Sequence, residues 1–410
     1  MAHPFHALAR RRATGHHANT ARSTLLGPAI GGAAMLLAAS LAQAAAFKAV
    51  LIAPDDDPRL ERNRLERAYL GHTGGPAADG VRVALKEAAL ELESAGASVS
   101  LEVVNIAATP EAARAAALQA EKGGAVFVLT DLPPAQTLAV ADAVKVPVIN
   151  VGDPSDALRE KDCRARLFHT LPSDRMRADA LAQTLVGQKW SSVLLLTGPS
   201  PVDAQRSAVA QAAIKRYGLK LAASKPFKLS GDPRERDLAN PALLTQGSYD
   251  VVWVVDSDGE FARSLPYRTV LPRPVVGDAG LTAVAWHPQY ERYGAPQVSR
   301  RFTRDAKRAM GGHEWSAWMA GKAMAAAAVE APKGPAAAVH KAFAALELDG
   351  SKGVTMGFRP WDGQLRQTML MTDGQGVVAL APNDGILHPK NKLDTLGADA
   401  PEKLCKVTRG

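Results

Sequence analysis

Short apolar runs rich in β-branched residues alternate, from Phe47 onward, with longer alanine-rich stretches of helical spacing. This alternation is typical of parallel α/β sheets. In the first series, strands are predicted at 49–53, 98–104, 125–129 and 146–151, with helices at 80–94, 110–122 and 133–144. In the second, strands are predicted at 193–197, 219–227, 250–255 and 274–277, with helices at 203–217, 232–244 and 259–265. The sequence therefore predicts an α/β protein of two doubly wound parallel-sheet lobes.

The last third of the chain has a different pattern. Three helical patches are predicted at 298–310, 314–329 and 335–346, and three strands at 354–359, 364–372 and 376–381. The dipeptides Asp362-Gly363 and Asp373-Gly374 separate these strands, and Asp-Gly favours tight hairpin turns. This region is expected to add helices and an antiparallel hairpin to the lobes.

Small polar residues follow five of the predicted strands, where an open α/β sheet binds its ligands. Any one of these segments could be no more than a helix N-cap and turn. Five of them across two lobes favour a shared cleft. The candidate ligand-binding residues at these ends are Thr130, Asp131, Gly152, Asp153, Gly198, Pro199, Asp256, Ser257 and Asp278.

The net charge of +8 on 410 residues is weaker evidence for nucleic-acid binding than it looks. Residues 1–44 hold four arginines and no acid, which leaves 45 basic against 41 acidic residues. Phosphate-backbone binding needs a concentrated basic face, so nucleic acid is not an expected partner. The sequence contains neither a P-loop nor G-x-G-x-x-G, its histidines lack metal-ligand spacing, and 198–202 lacks the second glycine of a nucleophile elbow. These observations favour binding over catalysis and predict no metal site.

The first 44 residues resemble a secretory signal peptide. Basic residues up to Arg22 precede an apolar stretch at 25–41, and Ala42-Gln43-Ala44 forms an A-x-A cleavage site. We expect cleavage after Ala44 and no lipid anchor, and an uncleaved membrane anchor is the alternative. Export to an oxidising compartment allows Cys163 and Cys405 to form one disulfide, with two free thiols as the alternative.

The mature chain, over about 47–405, resembles the class I periplasmic solute-binding proteins of the branched-chain amino acid type. More narrowly, it resembles the ABC-transporter substrate-binding proteins associated with alcohol oxidation that depends on pyrroloquinoline quinone (PQQ). The residues that carry this resemblance are FHTLPS at 168–173, LPYRT at 265–269, PRPV at 272–275, Trp286-His287 and FRPWD at 358–362. The long charged segment 55–75 departs from the general amino-acid-binding pattern.

The resemblance implies two lobes joined by three crossovers, with a ligand trapped between them by hinge closure and delivered to a membrane permease. It implies a monomeric periplasmic binding protein that is not an enzyme. The domain assignment is a signal peptide at 1–44, an N-terminal lobe at 45–167 plus 290–350, a C-terminal lobe at 168–289 plus 351–395, and a tail at 396–410.

The resemblance also suggests PQQ as the bound ligand, with no cofactor needed for catalysis. PQQ is a planar tricarboxylate, so its site needs cations and a flat apolar wall. The residues expected to supply these are Arg159, Lys161, Tyr267, Arg268, Arg273 and Trp286. Surface ion pairing is the alternative for the cations, and core packing for Trp286. Alternative functions are binding of an amino acid or an alcohol-oxidation product, a sensor or cofactor chaperone for a periplasmic PQQ-dependent dehydrogenase, and an exported enzyme.

Overall fold

The computed structural model describes residues 45–61 and 72–409, so the expected signal peptide lies outside the described residues. The first lobe is built on a parallel five-stranded sheet in the order β2-β1-β3-β4-β5. Its strands are β1 (Ala45–Pro54), β2 (Ala97–Ile106), β3 (Ala125–Thr130), β4 (Val148–Asn150) and β5 (Leu167–His169).

Both faces of this sheet are covered. Along β1, Ala49 and Leu51 enter one hydrophobic core, whereas Val50 and Ile52 enter another, because successive side chains of a strand point to opposite faces. The helices between the strands are α1 (Ala77–Glu87), α2 (Ala89–Ala95), α3 (Pro110–Lys122) and α4 (Pro134–Ala143). The near-continuous apolar runs of the sequence thus reflect burial on both faces.

The second lobe repeats this plan with a parallel four-stranded sheet in the order β7-β6-β8-β9. Its strands are β6 (Ser192–Thr197), β7 (Lys220–Pro226), β8 (Val251–Val255) and β9 (Val275–Gly277). Its helices are α5 (Asp174–Gly187), α6 (Pro201–Arg216), α7 (Pro241–Leu244) and α8 (Glu260–Ser264). The predicted helix at 232–244 is wrong over most of its length, because Pro233 and Asn240-Pro241 interrupt it and leave only a short 3₁₀ turn and α7.

After the second lobe, the chain returns to the first. The helices α9 (Ala295–Ala306), α10 (Gly312–Glu330) and α11 (Ala336–Ala345) pack in the first lobe's core. Helix α10 lies directly against α1, and a Cβ atom on Gly321 would come within 2.7 Å of the Cβ of Ala84. Among the described residues, none of the helices combines the length and hydropathy needed to span a membrane.

The last strands form two small antiparallel sheets. Strands β11 (Leu348–Asp349) and β12 (Thr355–Met356) pair with each other. Strands β10 (Thr282–Val284), β13 (Met369–Thr372) and β14 (Val377–Ala381) form the second sheet in the order β10-β13-β14. The β13–β14 hairpin turns at the predicted Asp373-Gly374, where the Asp373 carboxylate accepts the backbone N–H groups of Gln375 and Gly376.

The structure shifts two of the proposed lobe boundaries. Phe168 and His169 pair with β4 and complete the first sheet, although the sequence assigns them to the second lobe. Met356 and Phe358 were also assigned to the second lobe, but both are buried in the first lobe's core. The Phe358 ring contacts Phe343 of α11 at 5.0 Å between ring centroids, and this aromatic contact keeps the segment in the first lobe.

The end of the C-terminal tail is anchored to the first lobe, whereas Leu396 at its start is buried in the second lobe's core. Cys405 forms a disulfide with Cys163, the pairing expected from the sequence. Beyond it, Arg409 donates to the carbonyl oxygens of Arg164 and Leu167, and burial lowers its pKa to about 10. The segment that the sequence assigns to a separate tail, 396–410, is therefore part of the packed domain up to Arg409.

Candidate ligand-binding site

A cavity of about 280 Å³ opens between the carboxyl ends of the two parallel sheets. Both lobes line it. The first lobe contributes Arg59, His72, Thr73, Gly152, Pro154, Gly312 and His313, and the second contributes Asp174, Arg177, Arg206, Trp253, Asp256, Ser257, Gly277 and Asp278. Four residues that the sequence placed at strand ends, Gly152, Asp256, Ser257 and Asp278, are therefore in the lining. The volume is near the lower end of the range of about 300–1,000 Å³ that small-molecule sites occupy.

Behind the first-lobe lining lies Asp131, which follows β3; it is buried and does not itself line the cavity, although the sequence places it among the ligand-binding candidates. Its carboxylate accepts a hydrogen bond from Arg59 Nη2 at 2.8 Å, and His313 Nε2 lies 3.1 Å from its other oxygen. Gly152 passes so close that a Cβ atom there would lie 2.0 Å from Asp131 Oδ1, so only glycine fits. Thr130, the last residue of β3, is fully buried behind this wall.

The charges of this wall stabilise one another. Burial alone would raise the pKa of Asp131, but His313 and Arg59 outweigh it and hold that pKa well below its usual range. Burial opposes the charged form of His313, yet Asp131 and Glu314 raise its pKa. Arg59 also forms hydrogen bonds through Nε and Nη2 to Asp57, so its charge faces two carboxylates. The first-lobe wall is an ion-paired network whose main charges have protein partners.

On the second-lobe wall, most polar groups are paired as well. Arg206 binds Asp278 through two hydrogen bonds of 2.9 and 2.6 Å, and Asp278 also accepts the backbone N–H of Asp256. Ser200 caps α6 by accepting the backbone N–H of Asp203, and the Asp203 carboxylate accepts the backbone N–H groups of Ser200 and Ser257. Gly198 packs tightly against this cap, and a Cβ atom there would lie 2.5 Å from Asp203 Oδ2. Gly198 does not line the cavity.

Arg177, in the first turn of α5, is different. It lines the cavity, its Nε is buried without a hydrogen-bond partner, and no ion pair or hydrogen bond joins its guanidinium to any described residue. Burial lowers its pKa, against the attraction of Asp174, Asp278 and Asp156. An unpaired cation in a cavity is costly unless an anion joins it. Arg177 is therefore the strongest anion-binding candidate in the cleft.

Several residues proposed from the sequence lie elsewhere. Arg159 is buried, but it donates to Gln364 Oε1 at 2.7 Å and to the carbonyl oxygens of Ser155 and Leu171, so it holds the crossover segments together. Asp153 accepts the backbone N–H of Ser155, and burial raises its pKa to about 6, but it does not line the cavity. Lys161 is exposed and outside the cavity.

The segment from Tyr267 to Arg273 is also outside the cleft. Tyr267 is 90% exposed, and Arg268 and Arg273 are exposed too. The reason is topological: a parallel strand must begin at the amino edge of its sheet, so the chain between α8 and β9 returns to the edge opposite the cleft. The hydrogen bond from Val270 N to Thr245 Oγ1, just before β8, fixes this position. Pro199 is likewise exposed and does not line the cavity.

Trp286 belongs to the first lobe's core. It is 1% exposed and its ring is stacked on that of Trp315, with 6.1 Å between ring centroids. The aromatic residue in the cavity wall is Trp253, which the sequence analysis did not propose. Arg59, Arg177, Arg206 and His313 were also missed. A signal existed for Arg177, because it lies four residues after the N-cap Ser173 and first-turn side chains face the cleft.

Comparison with known proteins agrees with this architecture. Residues 69–252 match the family model described as periplasmic binding protein. No curated protein matches the chain. An ABC transporter substrate-binding protein from Sphaerobacter thermophilus has 15% sequence identity and a TM-score of 0.66, covering 82% of this chain and 98% of its own.

Two further solved structures are similar and have bound or named ligands. A solute-binding protein of an ABC transporter from R. palustris, in complex with benzoate, has 14% identity and a TM-score of 0.60 and covers 82% and 96% of the two chains. A leucine-, isoleucine-, valine-, threonine- and alanine-binding protein from Brucella ovis has 13% identity and a TM-score of 0.63 and covers 80% and 89%.

The described chain has the two-lobed α/β fold of the type I periplasmic binding proteins, as the sequence predicts. The match to the periplasmic binding protein model at 69–252 spans parts of both lobes, in line with the binding protein that the sequence predicts.

Proposed function

We propose that this chain is the periplasmic substrate-binding protein of an ABC transporter and captures a small organic anion between its two lobes for uptake by a permease. The observation that carries the proposal is the Arg177 guanidinium, which lines the interlobe cavity without a partner among the described residues. A ligand carboxylate would supply the missing partner. Because ligand contacts to both lobes exist only when the lobes are closed, binding would favour the closed state.

The ligand we propose is PQQ, on the resemblance described above. Three arginines line the cavity, Arg59, Arg177 and Arg206, and Trp253 gives it an aromatic wall. These residues replace Lys161, Arg268, Arg273 and Trp286 as the proposed contacts. Benzoate in the R. palustris structure and the amino acids of the Brucella ovis protein's name are the other ligand classes to compare. A periplasmic PQQ-dependent dehydrogenase is a second possible recipient of the ligand.

Calorimetric titration of the mature protein with PQQ, benzoate and leucine tests both the proposed binding of a small organic anion and the proposed ligand. We expect one-to-one binding of PQQ and at least tenfold weaker binding to Arg177→Met, since a charge-assisted hydrogen bond contributes roughly 1.5–3 kcal/mol. Arg268→Met, which removes an exposed arginine outside the cavity, is the matched control and should bind as the wild type does. Tight binding of leucine or benzoate without PQQ binding would support the proposed substrate-binding function but would show that PQQ is not the ligand.

The recipient is tested separately. Membrane vesicles that contain the cognate permease and ATPase should take up labelled ligand only in the presence of this protein and ATP. Transfer of PQQ to an apo-dehydrogenase without any transport would favour the cofactor-chaperone alternative.

A further inference from the structure

The first turn of α5 places two opposite charges in the cavity wall. Asp174 and Arg177 both line the cavity, and their spacing of three residues puts them on the same side of the helix. Nevertheless, they do not form an ion pair. The nearest cation to the Asp174 carboxylate is Arg206, whose Nε lies 3.9 Å from Asp174 Oδ1, and no ion pair joins Arg177 to any described residue. The wall therefore offers a donor group and an acceptor group side by side.

The backbone holds this pair in place. The backbone N–H of Asp174 donates to the carbonyl oxygen of Pro154, which lies in the first lobe's part of the cavity lining. Ser173 caps the helix by accepting the N–H of Met176. The two side chains thus project from a fixed helix turn at the junction of the lobes, so they are pre-organised for a ligand.

The other polar side chains of the second-lobe wall are already engaged. Arg206 and Asp278 bind each other, Ser257 is hydrogen-bonded to Ser200, and Asp256 accepts the backbone N–H of Ala262. Polar recognition on this lobe therefore falls to Asp174 and Arg177. A lone carboxylate would satisfy Arg177 but would bring a second negative charge close to Asp174.

We infer that the ligand carries a carboxylate with an N–H or O–H donor on the neighbouring atom, the carboxylate binding Arg177 while the donor binds the Asp174 carboxylate. This inference rests on the proposed function and narrows its ligand class. α-Hydroxy acids, α-amino acids and pyrrole-2-carboxylates have this arrangement, and the pyrrole edge of PQQ is one of them. Benzoate and simple aliphatic acids do not have it.

A pair of small aromatic acids tests the contribution of the ligand's N–H donor to binding. Pyrrole-2-carboxylate has an N–H beside its carboxylate, whereas furan-2-carboxylate has nearly the same shape with an oxygen in that position. We expect pyrrole-2-carboxylate to bind the wild-type protein at least tenfold more tightly, measured by titration calorimetry. The difference arises because furan oxygen cannot donate to Asp174 and would face its negative charge.

Three variants separate the roles. Asp174→Ala should reduce the preference for pyrrole-2-carboxylate to less than threefold, while its affinity for furan-2-carboxylate stays the same or improves. Arg177→Met should weaken both acids by tenfold or more. Arg268→Met should change neither affinity, and circular dichroism and the melting temperature should show that every variant is folded.

Equal binding of the two acids to the wild-type protein would overturn this inference and leave the proposed function intact. An equal loss of both acids in Asp174→Ala would also overturn it, since Asp174 would then act by positioning a neighbour. If neither these acids nor PQQ, benzoate and leucine bind, the proposed function itself fails.

Discussion

The two walls of the cavity contain similar side chains but use them differently. In the first lobe, Asp131 lies between Arg59 and His313, and Arg59 is shared with Asp57. In the second lobe, Arg177 has no partner among the described residues, although carboxylates are close by. The first wall balances its charges within the protein, whereas the second wall contains one cation with no partner among the described residues.

This difference assigns separate tasks to the lobes. A network of buried ion pairs is rigid because removing one partner leaves the others without compensation. An unpaired guanidinium has the opposite property, because its desolvation opposes folding and is relieved by an anion. We therefore expect substitution of the paired charges, such as Asp131, to change stability and substitution of Arg177 to change affinity.

The largest effect is expected from Asp131→Ala. It leaves Arg59 and His313 without their buried carboxylate, and breaking a buried pair costs about 3–5 kcal/mol of unfolding free energy. Urea unfolding measures this. Asp142→Ala is the control: it breaks a half-exposed pair with Arg164 and should cost less than about 1 kcal/mol. Similar losses in both variants would contradict a special role for the first wall.

Removal of the disulfide should have the next largest effect. Cys163 closely follows the loop that carries Gly152 and Pro154 into the cavity lining, and Cys405 anchors that region to the tail. The Cys163→Ser, Cys405→Ser double variant should lose about 4 kcal/mol of stability in the chain-entropy model. Thiol titration of the denatured, unreduced wild type should detect no free thiol. Two reactive thiols would show that the bond is absent in the exported protein.

For Arg177→Met we expect the opposite sign. Replacing an unpaired cation with an apolar side chain removes a desolvation cost, so the stability of the ligand-free protein should stay constant or rise by about 1 kcal/mol. Arg206→Met provides the contrast. It leaves Asp278 without its two hydrogen bonds and should lower stability by about 2 kcal/mol. A loss of stability in Arg177→Met would mean that the residue has a structural partner.

The smallest expected effect is the pH dependence of stability. Burial lowers the pKa of His313, but Asp131 and Glu314 outweigh burial and raise it. The stabilising contribution of charged His313 is therefore complete below the unfolded pKa of about 6.5 and is lost as the pH rises through the folded pKa. The lowered pKa of Asp131 acts at the acid end. Its contribution is complete above about 3.9 and is lost as the pH falls towards the folded pKa.

Unfolding free energies of wild type and His313→Gln, measured between pH 5.5 and 8.5, test this. The wild type should lose more stability than the variant over this range, because only the wild type loses the charge of His313, whose pKa is raised, as the pH rises. Parallel pH profiles would contradict the expected charge on His313.

The strand positions and the general location of the cleft could be predicted from the sequence, because both depend on local patterns. The helix predicted at 110–122 agrees with α3 (Pro110–Lys122), which has Thr109 as its N-cap and proline at its first position. The strand predicted at 193–197 agrees with β6 to within one residue. Gly152, Asp256, Ser257 and Asp278 line the cavity because the carboxyl ends of parallel strands share one edge of a sheet.

The roles of the arginines were harder to predict from the sequence, because each role depends on which partner the side chain contacts in the fold. Arg159, Arg177 and Arg206 look alike in the sequence. Arg159 binds the crossover segments, Arg206 binds an aspartate, and Arg177 has no partner in the part of the chain that the structure describes. Arg268 and Arg273 lie in the conspicuous motifs LPYRT and PRPV, but the chain carries them to the far edge of the sheet. Proximity in sequence to a strand end does not specify which edge a long loop reaches.

The sequence alone therefore determined the two α/β lobes, the likeness to exported binding proteins and the cysteine pair, because these depend on periodicity, composition and count. The tertiary structure decided which cavity arginine lacks a partner at 45–61 and 72–409, and it placed Trp253 rather than Trp286 in the cavity wall. It also brought Asp131 together with His313, 182 positions further along the chain, through the return of α10 to the first lobe. Charge pairing and ring stacking arise between distant segments, and only the folded chain brings such segments into contact.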